Sequence, residues 1–352
     1  MRVLKFGGTS VGSVESIKCV KKIVEARQDE SIVVVSALGG ITDKLIECAK
    51  TASTGNLDYT QIMDLIAARH FDQIAGAVAP EKQESVKADV MAMLDELGNI
   101  MRGVSLIKDL SEKTLNTILS YGERLSSRII SDIIDDAEWF DSREFIKTTT
   151  QFGKHIVDFE ITSKLIKEKF SRLPKVSLVP GFISSDKNTN DVTNLGRGGS
   201  DYSASLIGMA VDAERIEIWT DVDGVRTADP RRVPNTKYLE KISFEEAAEM
   251  AHFGAKVLHP LTIEPAVKKN IPLFVLNSMN PSGKGTAILR SELIEDGVKS
   301  VSFKENIRVI NIFSMRMINT SGFLRRVFEI FSENKVSVDL ISTSEANISV
   351  TV

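Results

Sequence analysis

Several patterns are missing from this chain, and each missing pattern excludes a class of protein. No apolar run is long enough to span a membrane, and the N-terminal residues alternate like a short strand and not like a secretion signal. The two cysteines, Cys19 and Cys48, have neither metal-ligand spacing nor a disulfide framework. We therefore expect a cytoplasmic protein without membrane contacts, in which both thiols are reduced.

A strong excess of one charge sign is also missing. Lysine and arginine number 44 against 48 acidic residues, and no basic stripe carries interleaved aromatic side chains, so nucleic acid is not an expected partner. The four histidines have neither metal-ligand spacing nor a serine nucleophile to serve, so we interpret them as structural and predict no metal site built from side chains. These histidines are His70, His155, His252 and His259.

The chain has 352 residues, of which 42% are hydrophobic and 26% charged, which suits one large and one small globular domain. Its beginning predicts a strand over Arg2–Phe6, a glycine loop over Gly7–Ser13, a helix over Glu15–Ala26 and a strand over Ser31–Val35. This is a βαβ unit. The sheet is therefore expected to be parallel, with ligands at the carboxyl ends of its strands.

Helical periodicity continues over 43–131, and the alternation of strands and helices resumes further along the chain. Ser243, with Glu246 three residues later, predicts a capped helix start, and Gly254 predicts its end. The first domain is expected to cover 1–295. The other elements predicted for it are strand Val176–Val179, a helix from about Tyr202, strand Arg215–Thr220 and strand Pro272–Leu276.

The C-terminal residues 300–352 predict a second, smaller domain. Apolar spacing indicates strand Ile307–Phe313, helix Phe323–Asn334, strand Val336–Ile341 and strand Asn347–Val352. This βαββ order is part of a ferredoxin-like module. We expect that either the natural protein continues or a partner supplies the missing helix and strand.

The segment 194–201 combines three glycines with Arg197 and Asp201. Glycines allow the positive φ angles that aim successive amides into one anion-binding concavity. Arg197 adds a planar fork for a carboxylate or phosphate, and Asp201 can hold an ammonium group. The alternative is an ordinary glycine-rich surface turn, which this motif alone does not exclude.

Three further motifs have a functional and an ordinary interpretation. Lys5 ends the first strand, and Gly7 with Gly8 precede a helix N-terminus, which favours phosphate; a tight turn with a solvated lysine is the alternative. Glu123 is equally well explained as a favourable charge at a helix start. The segment Trp219–Val225 offers polar groups to a base or ribose at the sheet edge, or forms only a turn.

Six ordered motifs together resemble the aspartokinases: Lys5-Phe6-Gly7-Gly8-Thr9-Ser10-Val11, Gly40-Ile41-Thr42, Ser120-Tyr121-Gly122-Glu123, Leu195-Gly196-Arg197-Gly198-Gly199-Ser200-Asp201, Trp219-Thr220-Asp221-Val222-Asp223-Gly224 and Phe253-Gly254-Ala255-Lys256-Val257-Leu258-His259-Pro260. The resemblance implies the amino-acid kinase fold, an αβα sandwich around a mostly parallel sheet. It also implies transfer of the γ-phosphoryl group of ATP, bound with Mg²⁺, to the β-carboxylate of L-aspartate. That reaction begins lysine, threonine and methionine biosynthesis.

The resemblance implies a role for each matching residue. The catalytic residues implied are Lys5, Asp201 and Lys256. The residues implied to bind aspartate are Ser36, Thr42, Glu123, Arg197 and Ser200. The residues implied to bind ATP, in part through backbone amides, are Lys5, Gly7, Gly8, Ser10, Gly199, Thr220, Asp221, Arg226, Arg231 and Lys256.

The mechanism expected for such an enzyme follows from charge. The acceptor carboxylate, with a reference pKa of about 3.9, is ionised at neutral pH and needs no general base, so no histidine is required. The obstacle is repulsion between this anion and the γ-phosphate. By the resemblance, Lys5 and Lys256 neutralise phosphate oxygens, Asp201 holds the lysines in place, Arg197 binds the α-carboxylate, and Glu123 binds the α-ammonium group.

The C-terminal residues resemble an ACT regulatory module of the lysine-sensitive type, which favours lysine over threonine as feedback effector and implies a homodimer or larger homo-oligomer. Since the module is partial, we expect this form to respond weakly to either amino acid. The alternatives are a related kinase acting on another acceptor, the kinase half of a bifunctional aspartokinase-homoserine dehydrogenase, and a non-catalytic amino-acid sensor. The residues implied to bind the effector are Gly322, Phe323, Leu324, Ser337, Val338, Asp339, Thr343 and Ser344.

One residue departs from the pattern of the family. Arg226 stands where many aspartokinases carry an aromatic residue near the adenine. A guanidinium group also stacks on rings, so nucleotide binding is expected to survive, with the role of Arg226 left open.

Overall fold

The computed structural model describes residues 1–151, 153–253, 258–291, 297–318 and 320–352. These residues form two compact units, Met1–Val301 and Ser302–Val352. None of the helices in the described ranges is both long and apolar enough to cross a membrane.

The first unit alternates strands and helices along much of its length. Its strands are β1 (Arg2–Phe6), β2 (Ser31–Val35), β3 (Ala137–Trp139), β4 (Lys147–Gln151), β5 (Lys154–Val157), β6 (Val176–Pro180), β7 (Ile183–Asp186), β8 (Val192–Asn194), β9 (Arg215–Thr220), β10 (Lys241–Ser243), β11 (Leu273–Asn277) and β12 (Thr286–Leu289). Its α-helices are α1 (Val14–Glu25), α2 (Ile41–Ser53), α3 (Tyr59–Ala77), α4 (Pro80–Ile107), α5 (Glu112–Ile133), α6 (Phe159–Lys169), α7 (Gly199–Ala210), α8 (Phe244–His252) and α9 (Pro260–Lys269).

β1 lies inside an eight-stranded sheet of order β10-β12-β11-β9-β1-β2-β6-β3. It pairs in parallel with β2 on one side and with β9 on the other, and the pairs of this sheet are parallel except β11 with β12. β2 and β6 are buried at every residue, which is typical of parallel strands covered on both faces. The site-forming loops therefore leave one edge of a rigid sheet.

Successive residues of β1 point to opposite faces of the sheet, and each face has its own core. Leu4 and Phe6 pack with apolar residues of α1 to α5. Val3 packs with residues of α6 to α9. The predicted αβα sandwich around a mostly parallel sheet is confirmed.

Several predicted elements are confirmed at their predicted residues. β1, β2 and β9 begin and end as expected. Ser243 and Glu246 form the predicted capping box at the start of α8, whereas the predicted helix end at Gly254 lies outside the described residues. α7 begins at Gly199 and not near Tyr202, because Gly198 caps it with a φ of 71° that favours glycine.

A second sheet of order β5-β4-β7-β8 was not predicted. Its strands are short and rich in serine and threonine, so they lack the apolar alternation that indicates a strand. Their buried hydroxyl groups bond to one another instead: Thr193 Oγ1 lies 2.8 Å from both Thr148 Oγ1 and Ser184 Oγ.

The second unit contains β13 (Val309–Phe313), α10 (Phe323–Glu333), β14 (Ile341–Thr343) and β15 (Asn347–Thr351), with antiparallel order β13-β15-β14. The predicted βαββ order is confirmed. The predicted strand Val336–Ile341 is wrong, because β14 covers only Ile341–Thr343. Ile341 pairs with Val350, so continuing this register leaves 336–338 no partner residue on β15.

Glu217 is a buried carboxylate in the middle of β9. It accepts hydrogen bonds from Arg27 Nη2 at 2.6 Å, Arg215 Nε at 2.7 Å and Trp219 Nε1 at 3.0 Å. Removing one partner of a buried charge network leaves the others uncompensated, which costs more than the network contributes as a whole.

We therefore predict that Glu217→Ala lowers the free energy of unfolding by about 3 kcal/mol or more, because the Arg27 charge loses its partner in the core. The control is Glu138→Ala, at an exposed position of β3, which should change that free energy by less than about 0.5 kcal/mol. Urea unfolding of both variants makes the comparison. Equal midpoints would show that the network contributes nothing.

Candidate active site

A cavity of about 250 Å³ opens beside the carboxyl ends of β1 and β2 and the N-terminus of α7. The residues lining it are Lys5, Ser36, Thr42, Glu123, Phe182, Gly196, Gly198, Gly199, Ser200 and Asp201. The structure thus brings together most of the residues that the sequence assigns to catalysis and to aspartate. Phe182 is a lining residue that the sequence analysis missed.

Lys5 and Asp201 form an ion pair in the wall of this cavity. Nζ of Lys5 lies 2.6 Å from Oδ1 of Asp201, and only 10% and 14% of the two side chains are exposed. The contact is an electrostatic pairing without hydrogen-bond angles, since Oδ1 of Asp201 has no hydrogen-bond partner in the described ranges. The pair connects β1 to the first turn of α7, and it holds the lysine charge inside the cavity.

The N-terminus of α7 also faces the cavity. The Gly199 amide donates to Gly196 O at 3.0 Å, whereas the amides of Ser200 and Asp201 have no acceptor among the described residues. A Cβ atom on Gly198 would collide with His259, which explains the glycine there. Free first-turn amides together with the helix dipole make this end suitable for an anion.

The loop after β1 carries a second set of free amides. Gly7 donates to Trp219 O at 3.1 Å, Val11 to Gly7 O at 3.2 Å and Gly12 to Thr9 O at 3.4 Å. The amides of Gly8 and the two residues after it have no acceptor within the described ranges. The amides of Gly7 and Gly199, which were predicted to contact phosphate, both donate to carbonyl groups here, so Gly8 and the two residues after it carry the amides of this loop that are open to an anion.

Glu123 is a buried side chain in the middle of α5, which begins at Glu112, so the interpretation of Glu123 as a charge at a helix start is wrong. Burial raises the pKa of Glu123 to about 8, although an amide hydrogen bond from Ala37 and the nearby charge of Lys5 both favour the ionised form. Oε2 has no hydrogen-bond partner among the residues with described positions. This acidic group therefore suits a cationic ligand that enters the cavity.

The remaining residues assigned to aspartate lie around the same opening. Ser36 directly follows β2, and Thr42 is the second residue of α2, whose capping residue Gly40 has a φ of 82°. Arg197 does not line the cavity, although its neighbours Gly196 and Gly198 do. Its side chain is exposed and makes no ion pair with a described residue, so it can bind an anion.

The residues assigned to the nucleotide lie along the loop after β9. Thr220 ends that strand, and its Oγ1 donates to Asp221 Oδ1 at 3.1 Å. Arg231 is exposed and pairs with Asp229 at 2.7 Å. Ser10 is a buried residue of the glycine loop itself. These polar groups lie in or after the loops at the carboxyl ends of β1 and β9, and they do not line the cavity. Lys256 lies outside the described residues.

Arg226 is fixed by groups that the sequence analysis did not single out. Its guanidinium carbon lies 4.0 Å from the centre of the Tyr238 ring, and Nη1 donates to Thr236 Oγ1 at 2.9 Å. The Tyr238 hydroxyl in turn donates to Asp223 at 3.1 Å. The aromatic partner of Arg226 is therefore a tyrosine of this chain, which the sequence separates from it by a loop.

The comparisons with known proteins agree with this geometry. Residues 1–277 match the amino acid kinase family, and residues 310–352 match the ACT domain. The chain belongs to the amino acid kinase family. Within this family it is similar to aspartokinases: it is 35% identical to aspartokinase 1, chloroplastic, of Arabidopsis thaliana over 99% of its own length and 63% of that protein.

Two further matches place this amino acid kinase among the aspartokinases. It is 34% identical to the lysine-sensitive aspartokinase 3 of Escherichia coli, over 99% of this chain and 78% of that one. The crystal structure of E. coli aspartokinase III in complex with aspartate and ADP, in its R-state, superposes with a TM-score of 0.88 and 32% identity. It covers all of this chain, which in turn covers 78% of it.

The residues assigned to an effector lie in the ACT unit of this kinase. Gly322 caps α10 with a φ of 82°, and Phe323 and Leu324 begin that helix. Asp339 pairs with Lys304, and Thr343 ends β14. The other assigned residues are Ser337 and Val338 before β14 and Ser344 after it.

The buried Glu123 makes a specific pH dependence of stability expected. The folded protein holds this proton more tightly than the unfolded chain, whose pKa is near 4.5. The resulting stabilisation is fully present below about pH 4.5 and is lost as the pH rises to about 8.

Accordingly, the free energy of unfolding of the wild type minus that of Glu123→Gln should fall as the pH rises through this window, with a slope of up to about 1.4 kcal/mol per pH unit, and level off above it. Urea titrations at several pH values measure the difference. Glu84→Gln, at an exposed position of α4, should give a difference that is independent of pH. A flat difference for Glu123→Gln as well would disprove the raised pKa.

Proposed function

We propose that this chain carries the kinase part of an aspartate kinase, which transfers the γ-phosphoryl group of ATP to the β-carboxylate of L-aspartate. The observation that carries the proposal is the buried carboxyl group of Glu123 in the same cavity as Lys5, next to the loop of Arg197. Such a set matches an amino acid with free α-ammonium and α-carboxylate groups. The chain spans 63% of the length of the Arabidopsis relative.

Aspartate would be recognised by charge at each of its ends. Glu123 loses its proton to receive the α-ammonium group, and Arg197 binds the α-carboxylate through its planar fork. Ser36, Thr42 and Ser200 then hold the β-carboxylate with neutral donors. A neutral donor orients this carboxylate without quenching the charge that makes it a nucleophile.

The chemical step itself needs positioning and charge compensation. One carboxylate oxygen of aspartate forms the new bond to phosphorus while the bond between phosphorus and the bridging oxygen of ADP breaks, so no proton moves. Lys5 compensates charge on the transferring oxygens, and the ion pair with Asp201 fixes its ammonium group. Lys256 is proposed for a similar role. The free amides of Ser200 and Asp201 add donors at the same place.

The nucleotide would lie over the carboxyl end of β9 and the glycine loop that follows β1. Support comes from the free amide of Gly8, from the polar loop of Thr220 and Asp221, and from the exposed Arg231. The E. coli relative was solved with ADP and aspartate. Mg²⁺ is proposed to be held by phosphate oxygens and water, since the described residues contain no group of three or more metal-ligating side chains.

The proposal also covers feedback regulation, assembly and cellular location. The match of residues 310–352 to the ACT domain and the similarity to a lysine-sensitive relative support lysine as the feedback effector. A homo-oligomer and a cytoplasmic location are proposed with it. The alternative of a kinase half within a bifunctional enzyme requires the same cavity and the same reaction.

The test of the proposed reaction is acceptor specificity. The protein is incubated with Mg·ATP and one acceptor at a time, and ADP release measures turnover with each acceptor. Hydroxylamine additionally traps the acyl phosphate formed from a carboxylate acceptor as a hydroxamate, whereas UMP would give UDP and no hydroxamate. We expect product with L-aspartate and little with N-acetylglutamate or UMP, because neither offers the α-ammonium group that Glu123 would bind. Preference for either of those acceptors would refute the assignment.

Two substitutions should separate catalysis from substrate binding. Lys5→Met should lower kcat by about 100-fold or more, with a smaller effect on nucleotide affinity, because its charge acts on the transferring oxygens. Arg197→Ala should mainly raise the KM for aspartate, since it contacts the substrate in the ground and transition states alike. Steady-state kinetics in both substrates measure these effects. Wild-type constants in both variants would place the active site elsewhere.

A further inference from the structure

The glycine loop between β1 and α1 is fixed at three points outside itself. The Gly7 amide donates to Trp219 O at 3.1 Å. Ser10 Oγ lies 2.8 Å from Ser278 Oγ, and the carbonyl of Gly12 accepts from Arg69 Nη2 at 2.6 Å. The first anchor lies on β9, and the second directly follows β11. The third comes from α3, a helix that the proposed mechanism does not use.

One face of α3 makes this third anchor. Besides the bond from Arg69, Gln73 Nε2 lies 3.4 Å from the same carbonyl of Gly12. One turn further, a Cβ atom on Gly76 would lie 2.5 Å from Val14 Cγ2, so the helix approaches the first residue of α1 as closely as glycine allows. Positions 69, 73 and 76 share one helix face. The contact is therefore a docked helix face and not a single surface side chain.

Gly12, which Arg69 holds, is packed closely against the part of the loop that carries the free amides. A Cβ atom on Gly12 would lie 2.9 Å from Gly8 O, and one on Gly8 would lie 3.1 Å from Ala37 O. Gly12 therefore packs directly against Gly8 with no room for a side chain between them, and its amide donates to Thr9 O at 3.4 Å. A hydrogen bond from a charged guanidinium group is among the stronger ones in proteins, so Arg69 is the main restraint on Gly12.

We propose that Arg69 is a positioning residue for phosphate binding: by fixing the Gly12 carbonyl, it keeps the amides of Gly8, Thr9 and Ser10 aimed at the phosphate groups of the nucleotide. The inference rests on the proposed function for the identity of the ligand. By this proposal α3, in the helical part of the first unit, influences nucleotide affinity through the glycine loop. Arg69 itself contacts neither the phosphates nor the reacting atoms in this arrangement.

Kinetics of three variants test the proposal. Arg69→Met should raise the KM for Mg·ATP about tenfold and the KM for aspartate by less than about twofold, because only the phosphate loop loses its restraint. Arg69→Lys should keep most of the affinity, since an ammonium group still donates to a carbonyl. The control is Arg102→Met, which removes an exposed arginine of α4 and should leave all constants unchanged. Equal behaviour of Arg69→Met and Arg102→Met would overturn the proposal.

Binding measured without an acceptor separates this proposal from the function itself. Calorimetry with Mg·ADP should show about tenfold weaker binding to Arg69→Met than to Arg102→Met, even if aspartate is not the acceptor. Gly76→Ala should also weaken Mg·ADP binding, and Val14→Ala in the same chain should restore it by making room for the new methyl group. Unchanged Mg·ADP affinity in Arg69→Met, or a loss in Gly76→Ala that Val14→Ala does not relieve, would refute the positioning role.

Discussion

The parallel pairing of β1 with β2 and β9 is the constraint on which the site depends. Phe6 pairs with Val35 on one side and with Trp219 on the other, so three strands end at the same level. The residues that follow them leave the sheet side by side: the glycine loop after β1, Ser36 after β2 and Asp221 after β9. A shift in the pairing of β1 with either β2 or β9 would separate these loops, which are distant in the sequence and adjacent only because the strands pair in this register.

The cavity is mainly an arrangement of charged side chains that are largely buried. Lys5 and Asp201 compensate each other, while the buried Glu123 forms no ion pair with any residue that the structure describes. Burial of a carboxyl group without such a partner disfavours ionisation, and the raised pKa of Glu123 follows. The site therefore has a buried acidic group in its interior and, at its rim, an exposed cation, Arg197, that makes no ion pair within the described part of the chain. This polarity fits a zwitterion better than a simple anion.

Much of this could be predicted from the sequence, because the signals were local. Apolar runs and glycines identified β1, β2 and β9, and the ordered motifs contain most of the residues that line the cavity, although not Phe182. Other features depend on the surroundings of a residue. The amide of Gly7 is bound to Trp219 O, 212 positions away in the chain, and the ring beneath Arg226 belongs to Tyr238. Pairing partners of this kind have no local signature, and neither does the register that leaves 336–338 outside β14.

The protonated state of Glu123 has a consequence for the heat of substrate binding. If an ammonium group enters the cavity near neutral pH, the carboxyl group must release its proton to the solution. The buffer takes up that proton, so the binding enthalpy measured for aspartate contains the ionisation enthalpy of the buffer. Affinity would then increase with alkalinity until Glu123 is ionised beforehand. Substrate binding would therefore release one proton to the solution, although the phosphoryl transfer itself moves none.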